Sequence, residues 1–227
     1  MTIDFLGKTL SGAFTIPSGI VTTGVPIIEY IFANVPQVGV LTTKSIGLEP
    51  RPGYREPVLS QYAPGCLINA VGLTNPGAER SAELFAELRV PRDKFLLTSI
   101  FGGSVEEFVA VAELLAPFSD GLELNLSCPH ASGYGMAMGQ DPELVGAITA
   151  AVKSVVKIPV VPKLTPNTDN IAEIAAAAVE AGADALCAIN TVGPGYFTSH
   201  GEPVLSNELG GLSGKGILPI GVKCVRE

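Results

Sequence analysis

The chain has 227 residues, 47% of them hydrophobic and 16% charged, which is enough apolar material for one sizeable core in a single domain spanning 1–227. A net charge of −8 leaves no basic face for a nucleic acid, and no apolar run reaches the ~18 residues of a membrane span. The opening MTIDFLGKTL lacks the pattern of a signal peptide, so a cytoplasmic location is expected.

In chain order, an opening strand is expected near residues 16–20, then buried strands at 38–45 and 95–102, each an apolar run bounded by turn residues. A helix over 105–118 follows, with apolar residues at three- and four-residue spacing, and then a strand at 122–127. The next helix, 142–156, carries its own start signal: Asp141 to cap it, Pro142 at its first position and Glu143 in its first turn. A strand at 159–164, a helix at 171–181 ended by Gly182 and a strand at 185–190 complete the alternation. After the loop GGLSGKG, a last helix begins around residue 216 and runs to Glu227.

Repeated strand–helix alternation argues for parallel strands joined by right-handed crossovers. An open doubly wound sheet and an α/β barrel both satisfy that pattern, and the polar residues separate them. Lys44 with Ser45, Asn125 with Ser127, Lys163, and Asn190 with Thr191 all fall at the C-terminal ends of strands. A (β/α)8 TIM barrel gathers those ends around one mouth, where its active sites lie. A polar group buried there costs about 1–3 kcal/mol if unpaired, so four strands sharing the habit indicate a lined pocket rather than local loop caps. Six strands do not close an eight-stranded barrel, and the expected fold is an incomplete TIM barrel with about six of its eight strand–helix units.

Four cysteines, Cys66, Cys128, Cys187 and Cys224, sit far apart, with no CxxC pair or Cys/His cluster to hold zinc or an iron–sulfur centre. Burial as a small hydrophobe is the expectation for three of them. Cys128 differs, because it follows a strand, precedes Pro129 and has polar neighbours.

That loop reads Asn125-Leu126-Ser127-Cys128-Pro129-His130. With it come Pro17-Ser18-Gly19, Thr43-Lys44-Ser45 and Asn69-Ala70-Val71-Gly72-Leu73. Further along are Lys163-Leu164-Thr165-Pro166-Asn167, Ile189-Asn190-Thr191 and Gly210-Gly211-Leu212-Ser213-Gly214. In order and spacing these motifs resemble the class 1 dihydroorotate dehydrogenases along the whole chain. The segments PRPGYREP (50–57) and NTVGPG (190–195) look like the 1B type. The resemblance implies a TIM barrel that binds FMN at its strand C-termini and oxidises dihydroorotate to orotate in pyrimidine biosynthesis. It also implies two further strands whose Gly-rich loops hold the FMN phosphate, so the sequence is expected to be a C-terminally incomplete barrel.

By the same resemblance, Cys128 is the base that takes the substrate's proton while the hydride goes to the flavin. The membrane-associated class 2 enzymes would have serine there and an N-terminal membrane helix. The implied flavin contacts are Ser18, Lys44, Ser45, Ser99, Asn125, Lys163, Ile189 and Gly214, with Ser99 standing where some 1B members have Asn. Lys163 would face the pyrimidine end of the flavin, where a positive charge stabilises the anionic reduced form. The implied substrate contacts are Lys44, Asn69, Ala70, Val71, Gly72, Leu73, Asn125, Asn190 and Thr191. Asparagine offers both a donor and an acceptor, which suits a ring edged with carbonyls and N–H groups.

A homodimer core and, for the 1B type, a partner subunit carrying FAD and an iron–sulfur cluster are also implied. His130 stands where many members have Asn, and NLSCPH with GQDPE (139–143) also occurs in the flavin domain of dihydropyrimidine dehydrogenases. Dihydrouracil and dihydrothymine are therefore alternative substrates, and a non-catalytic ligand-binding barrel is the alternative from another class.

Overall fold

Short apolar strands need cover on both faces, and here helices supply it on one side and a filled interior on the other. The computed structural model describes residues 2–20, 24–126 and 136–227. The chain opens with an antiparallel hairpin, β1 (Ile3–Phe5) and β2 (Lys8–Leu10). Then come β3 (Phe14–Ile16), α1 (Val25–Asn34) and β4 (Val38–Thr42). A second hairpin, β5 (Leu59–Ala63) and β6 (Cys66–Asn69), leads to α2 (Ala78–Ala86). The regular alternation resumes with β7 (Phe95–Ile100), α3 (Val105–Leu115), β8 (Gly121–Asn125), α4 (Met136–Gln140) and α5 (Pro142–Val155). It continues through β9 (Val160–Leu164), α6 (Ile171–Glu180) and β10 (Cys187–Ala188). Four short strands follow, β11 (Val192–Tyr196), β12 (Thr198–Ser199), β13 (Glu202–Pro203) and β14 (Leu209–Gly214), before α7 (Leu218–Arg226).

Six strands make one parallel sheet in the order β3-β4-β7-β8-β9-β10, every pairing parallel. That order follows the chain without reversal. A doubly wound sheet would reverse at a switch point, so the arrangement is an arc of a TIM barrel, as the strand-end polar residues indicated.

The two-residue period of each strand sorts its side chains between the two faces. Leu122, Leu124, Val160 and Leu164 face α3, α5 and α6, whose Phe108, Val111, Val145, Ile148 and Ile174 complete the largest core cluster. On the inner face Val40, Phe95, Leu97 and Val161 pack with Leu10 of the β1–β2 hairpin. The hairpin thereby covers the start of the strands; Phe5 meets Phe95 edge-on at 5.1 Å and the Lys8 ammonium lies 2.8 Å from Asp120. One residue pair further along each strand the inner face turns polar: Thr42, Ser99, Glu123 and Lys163 are all buried.

Two of the departures from the sequence reading bear on the site. The opening strand lies at Phe14–Ile16 instead of 16–20, because Pro17 has no N–H for the ladder and Gly19 takes a positive φ of 90°. A second, antiparallel sheet in the order β11-β14-β6-β5 is built from segments that follow the C-terminal ends of β4 and β10. Ile68, Ala70 and Leu205 form its small core, with Tyr62 stacked on Phe197 at 4.3 Å.

Candidate active site

Five strand ends meet in one hydrogen-bonded polar network. Ser45, just after β4, is its hub: its Oγ lies 3.2 Å from Ser18 Oγ and 2.9 Å from Ser99 Oγ, and it accepts from Asn125 Nδ2 at 3.0 Å. Asn125 Oδ1 accepts in turn from Asn190 Nδ2 at 3.1 Å, and Asn190 Oδ1 accepts from the Thr191 amide at 2.8 Å. Each residue ends or follows a different parallel strand, so the network exists only because the sheet curves those ends together. Thr43 Oγ1 accepts from the Ser99 amide at 3.0 Å and fixes the β4–β7 step beneath it.

Beside that network on the inner face lies a charged cluster. Lys163 on β9 is paired in register with Asn125 of β8 and Cys187 of β10. Its ammonium is 3.7 Å from Glu123 Oε1, with side-chain exposures of 9% for the lysine and 2% for the glutamate. That Oε1 has no hydrogen-bond partner among the described residues. Burial first, and then the Glu123 charge, push the Cys187 thiol up to about 12, with Lys163 pulling the other way. Cys187 is therefore a neutral thiol near neutral pH. A buried acceptor without a donor costs about 1–3 kcal/mol, which marks this cluster as more than packing.

The second sheet carries the remaining polar candidates. Asn69, ending β6, donates from Nδ2 to the Gly211 carbonyl of β14 at 3.3 Å. A β-carbon on Gly211 would overlap Thr191 Oγ1, so only glycine lets β14 bring Asn69 up to the Asn190–Thr191 corner. Ala70 and Leu73 are buried and the Val71 carbonyl accepts from Tyr54 N at 3.0 Å. Gly72 and Leu73 both have positive φ, 76° and 57°, which turns the chain sharply after β6. Asn167 braces the other side, with Oδ1 accepting from Gly193 N at 2.9 Å and Nδ2 donating to the Thr191 carbonyl at 3.3 Å.

Lys44 lines a cavity of 220 Å³ together with Thr43, Thr74, Asn75, Ile28 and Phe85. Ile189 and Gly214 instead line a larger, open and mainly apolar cavity of 490 Å³ against Ile217, Leu218, Val222 and Val225. The structure thus joins Ser18, Ser45, Ser99, Asn125, Asn190 and Thr191 directly and sets Lys163 in register beside Asn125. Asn69 reaches that group through Gly211, while Ile189 and Gly214 fall on a neighbouring wall. Cys128 and His130 lie outside the described residues. Of the other cysteines, Cys66 is buried, whereas Cys187 and Cys224 are half-buried, and all three are free.

Sequence reasoning missed Glu123 and Asn167. Glu123 alternates with Asn125 along β8, so the period of two already put both on one face; its pairing with Lys163 was not visible. Among the described residues no group of three His, Cys, Asp or Glu could hold a metal, and no helix is long and apolar enough to cross a membrane. The polar set fits a flat, polar-edged ring such as a flavin: hydroxyls and amides at the strand ends, one buried ammonium, and behind it a carboxylate oxygen that makes no hydrogen bond among the described residues.

A family model described as dihydroorotate dehydrogenase matches residues 1–227. A protein of Pyrococcus abyssi described as dihydroorotate dehydrogenase B (NAD(+)), catalytic subunit, is 43% identical over 231 residues, covering 100% of this chain and 75% of its own length. Proteins with the same description from Thermococcus kodakarensis and Methanocella arvoryzae are 44% and 45% identical, each covering 100% of this chain and 74% of its own length. The solved structure of a ligand-free type DHODH from Eimeria tenella superposes with a TM-score of 0.76 at 19% identity, covering 99% of this chain and 70% of its own. The last shares the fold, and the sequence matches carry the kinship.

Proposed function

Because the chain belongs to the dihydroorotate dehydrogenase family along its whole length, we propose that it oxidises dihydroorotate to orotate with a flavin, FMN, bound at the strand C-termini. The observation that carries this reading is the continuous network from Ser18 through Ser45, Ser99 and Asn125 to Asn190, assembled from five strand ends. When bound, the flavin supplies the acceptor for the hydride that leaves one ring carbon of the substrate. The chain's own residues do the rest.

Ser18, Ser45, Ser99, Lys163 and Asn125 hold the flavin's polar edge, with Ile189 and Gly214 along its flank and Lys44 between flavin and substrate. The Lys163 ammonium offsets negative charge gained on reduction. Asn69, Asn125, Asn190 and Thr191 orient the flat substrate by its carbonyl and N–H edge, with Ala70, Val71, Gly72 and Leu73 forming the turn beside it. Cys128 takes the proton from the carbon next to the one that loses hydride, so the ring gains one double bond and the two hydrogens leave by separate routes. The relatives' description as a catalytic subunit of an NAD(+) enzyme supports a partner subunit with FAD and an iron–sulfur cluster that carries electrons onward. A homodimeric core completes the proposal.

The test is an anaerobic titration that follows flavin absorbance with dihydroorotate and, separately, with dihydrouracil. Bleaching by dihydroorotate alone is the expected result. Bleaching by dihydrouracil alone would assign the site to the dihydropyrimidine dehydrogenase chemistry, and a colourless protein would make the barrel a binding module.

A further inference from the structure

Glu123 is almost fully buried on the inner face of β8, two residues before Asn125 and one layer deeper than that residue. Its neighbours in register are Ser99 on β7 and Val161 on β9. The cation facing it is Lys163, at 3.7 Å. That separation is a Coulombic contact rather than a hydrogen bond, so the carboxylate attracts the ammonium without using up its N–H donors. Cys187, the third polar group of the layer, is a neutral thiol and adds no charge of its own. The pair is therefore one anion beneath one cation, and the cation is the one nearer the mouth.

A carboxylate in this position is expensive to bury and contributes nothing to the core. It does two things for Lys163. It fixes where a flexible four-carbon side chain carries its charge, and it cancels part of that charge as felt from above. We propose that Glu123 is a positioning residue for Lys163, holding its ammonium at the barrel mouth and setting the net charge that the flavin ring meets there. This rests on the flavin reading of the same site. It assigns Glu123 no contact with flavin or substrate; its partner in the structure is Lys163.

The experiment measures the midpoint potential of the bound flavin in the full chain. It compares wild type, Glu123→Gln, Glu123→Asp, Lys163→Met and the Glu123→Gln/Lys163→Met double variant. Glu123→Gln keeps the side-chain shape, retains flavin and moves the potential to a less negative value, because the lysine charge is no longer partly cancelled. Glu123→Asp, whose shorter arm withdraws the carboxylate, gives a smaller shift of the same sign. In the Lys163→Met background the Glu123→Gln shift is smaller, the difference between the two backgrounds being the part of the effect that passes through the lysine.

An unmoved potential in Glu123→Gln overturns the proposal, and so does a shift of equal size in both backgrounds, which would show the carboxylate acting without Lys163. Should the amide variant fail to fold, the aspartate variant decides alone, and an unmoved potential there overturns the proposal. A colourless wild-type chain overturns the flavin reading and this inference together. A yellow chain with unmoved potentials overturns this inference and leaves the reading standing.

Discussion

Cys128 is the residue on which the proposed chemistry turns, since hydride and proton must leave the substrate separately and only a base over the ring can take the proton. A free thiol ionises near pH 8.5, so a modest lowering brings it into the working range, whereas an alcohol stays far above it. Cys128→Ala should retain flavin and lose turnover by roughly 10²–10⁴-fold, the usual contribution of a positioned base, as read from the rate of anaerobic flavin bleaching. Cys128→Ser should be slow, with its optimum displaced to higher pH. Unchanged bleaching in the alanine variant would remove Cys128 from the mechanism. Lys44, Ser45, Asn125, Lys163, Asn190 and Thr191 were legible at this scale because a polar side chain ending a buried strand is expensive unless something binds it, whereas Ser18, Ser99 and Asn69 came only with the family resemblance. Glu123 was not, because a single Glu in LELNLS carries no mark of the lysine it faces on the next strand.

At the scale of elements, the helix whose start the sequence announced most explicitly was α5. Asp141 accepts from Glu143 N at 2.9 Å and from Leu144 N at 3.3 Å, with Pro142 opening α5. Asp141→Ala should cost about 1 kcal/mol in urea-induced unfolding, and an unchanged midpoint would show the cap to be dispensable. By contrast α1 and α2 begin at Gly24 and Gly77 with no side-chain cap, and the sequence reading did not place either of them. The antiparallel sheet was hidden for a related reason. VGPGY and LGGLSG, its β11 and β14, are rich in the residues that strands avoid. They form strands because β14 pairs on both sides, with β6 and β11, and because Gly211 must pass close to Thr191.

For the whole molecule, the sequential strand order makes each strand–helix unit lean on the next, and one side chain ties three such units. Asp184 accepts from the Lys153 ammonium of α5 at 2.7 Å and from Val160 N of β9 at 2.7 Å, just before β10. Burial opposes its charge, yet those two partners outweigh it and hold the carboxyl below its usual range. A carboxyl lowered on folding stabilises fully above its unfolded value of about 3.9 and loses that contribution as pH falls through the folded one. Asp184→Asn should therefore be less stable by about 0.5–1 kcal/mol at neutral pH, with the gap closing in acid below about pH 3.9. Thermal unfolding at both pH values checks it, and a gap that persists in acid would sink the linkage.

By itself the sequence determined the alternation of strand and helix, the barrel class and the family, because periodicity and strand-end chemistry are written locally and the motifs are contiguous. Which hydroxyl meets which amide was decided only by the tertiary structure. So were the approach of Asn69 to Thr191 across Gly211 and the place of Glu123 beneath Lys163. Those contacts join residues far apart in the chain, and the curvature of the sheet, which no local pattern encodes, brings them within reach.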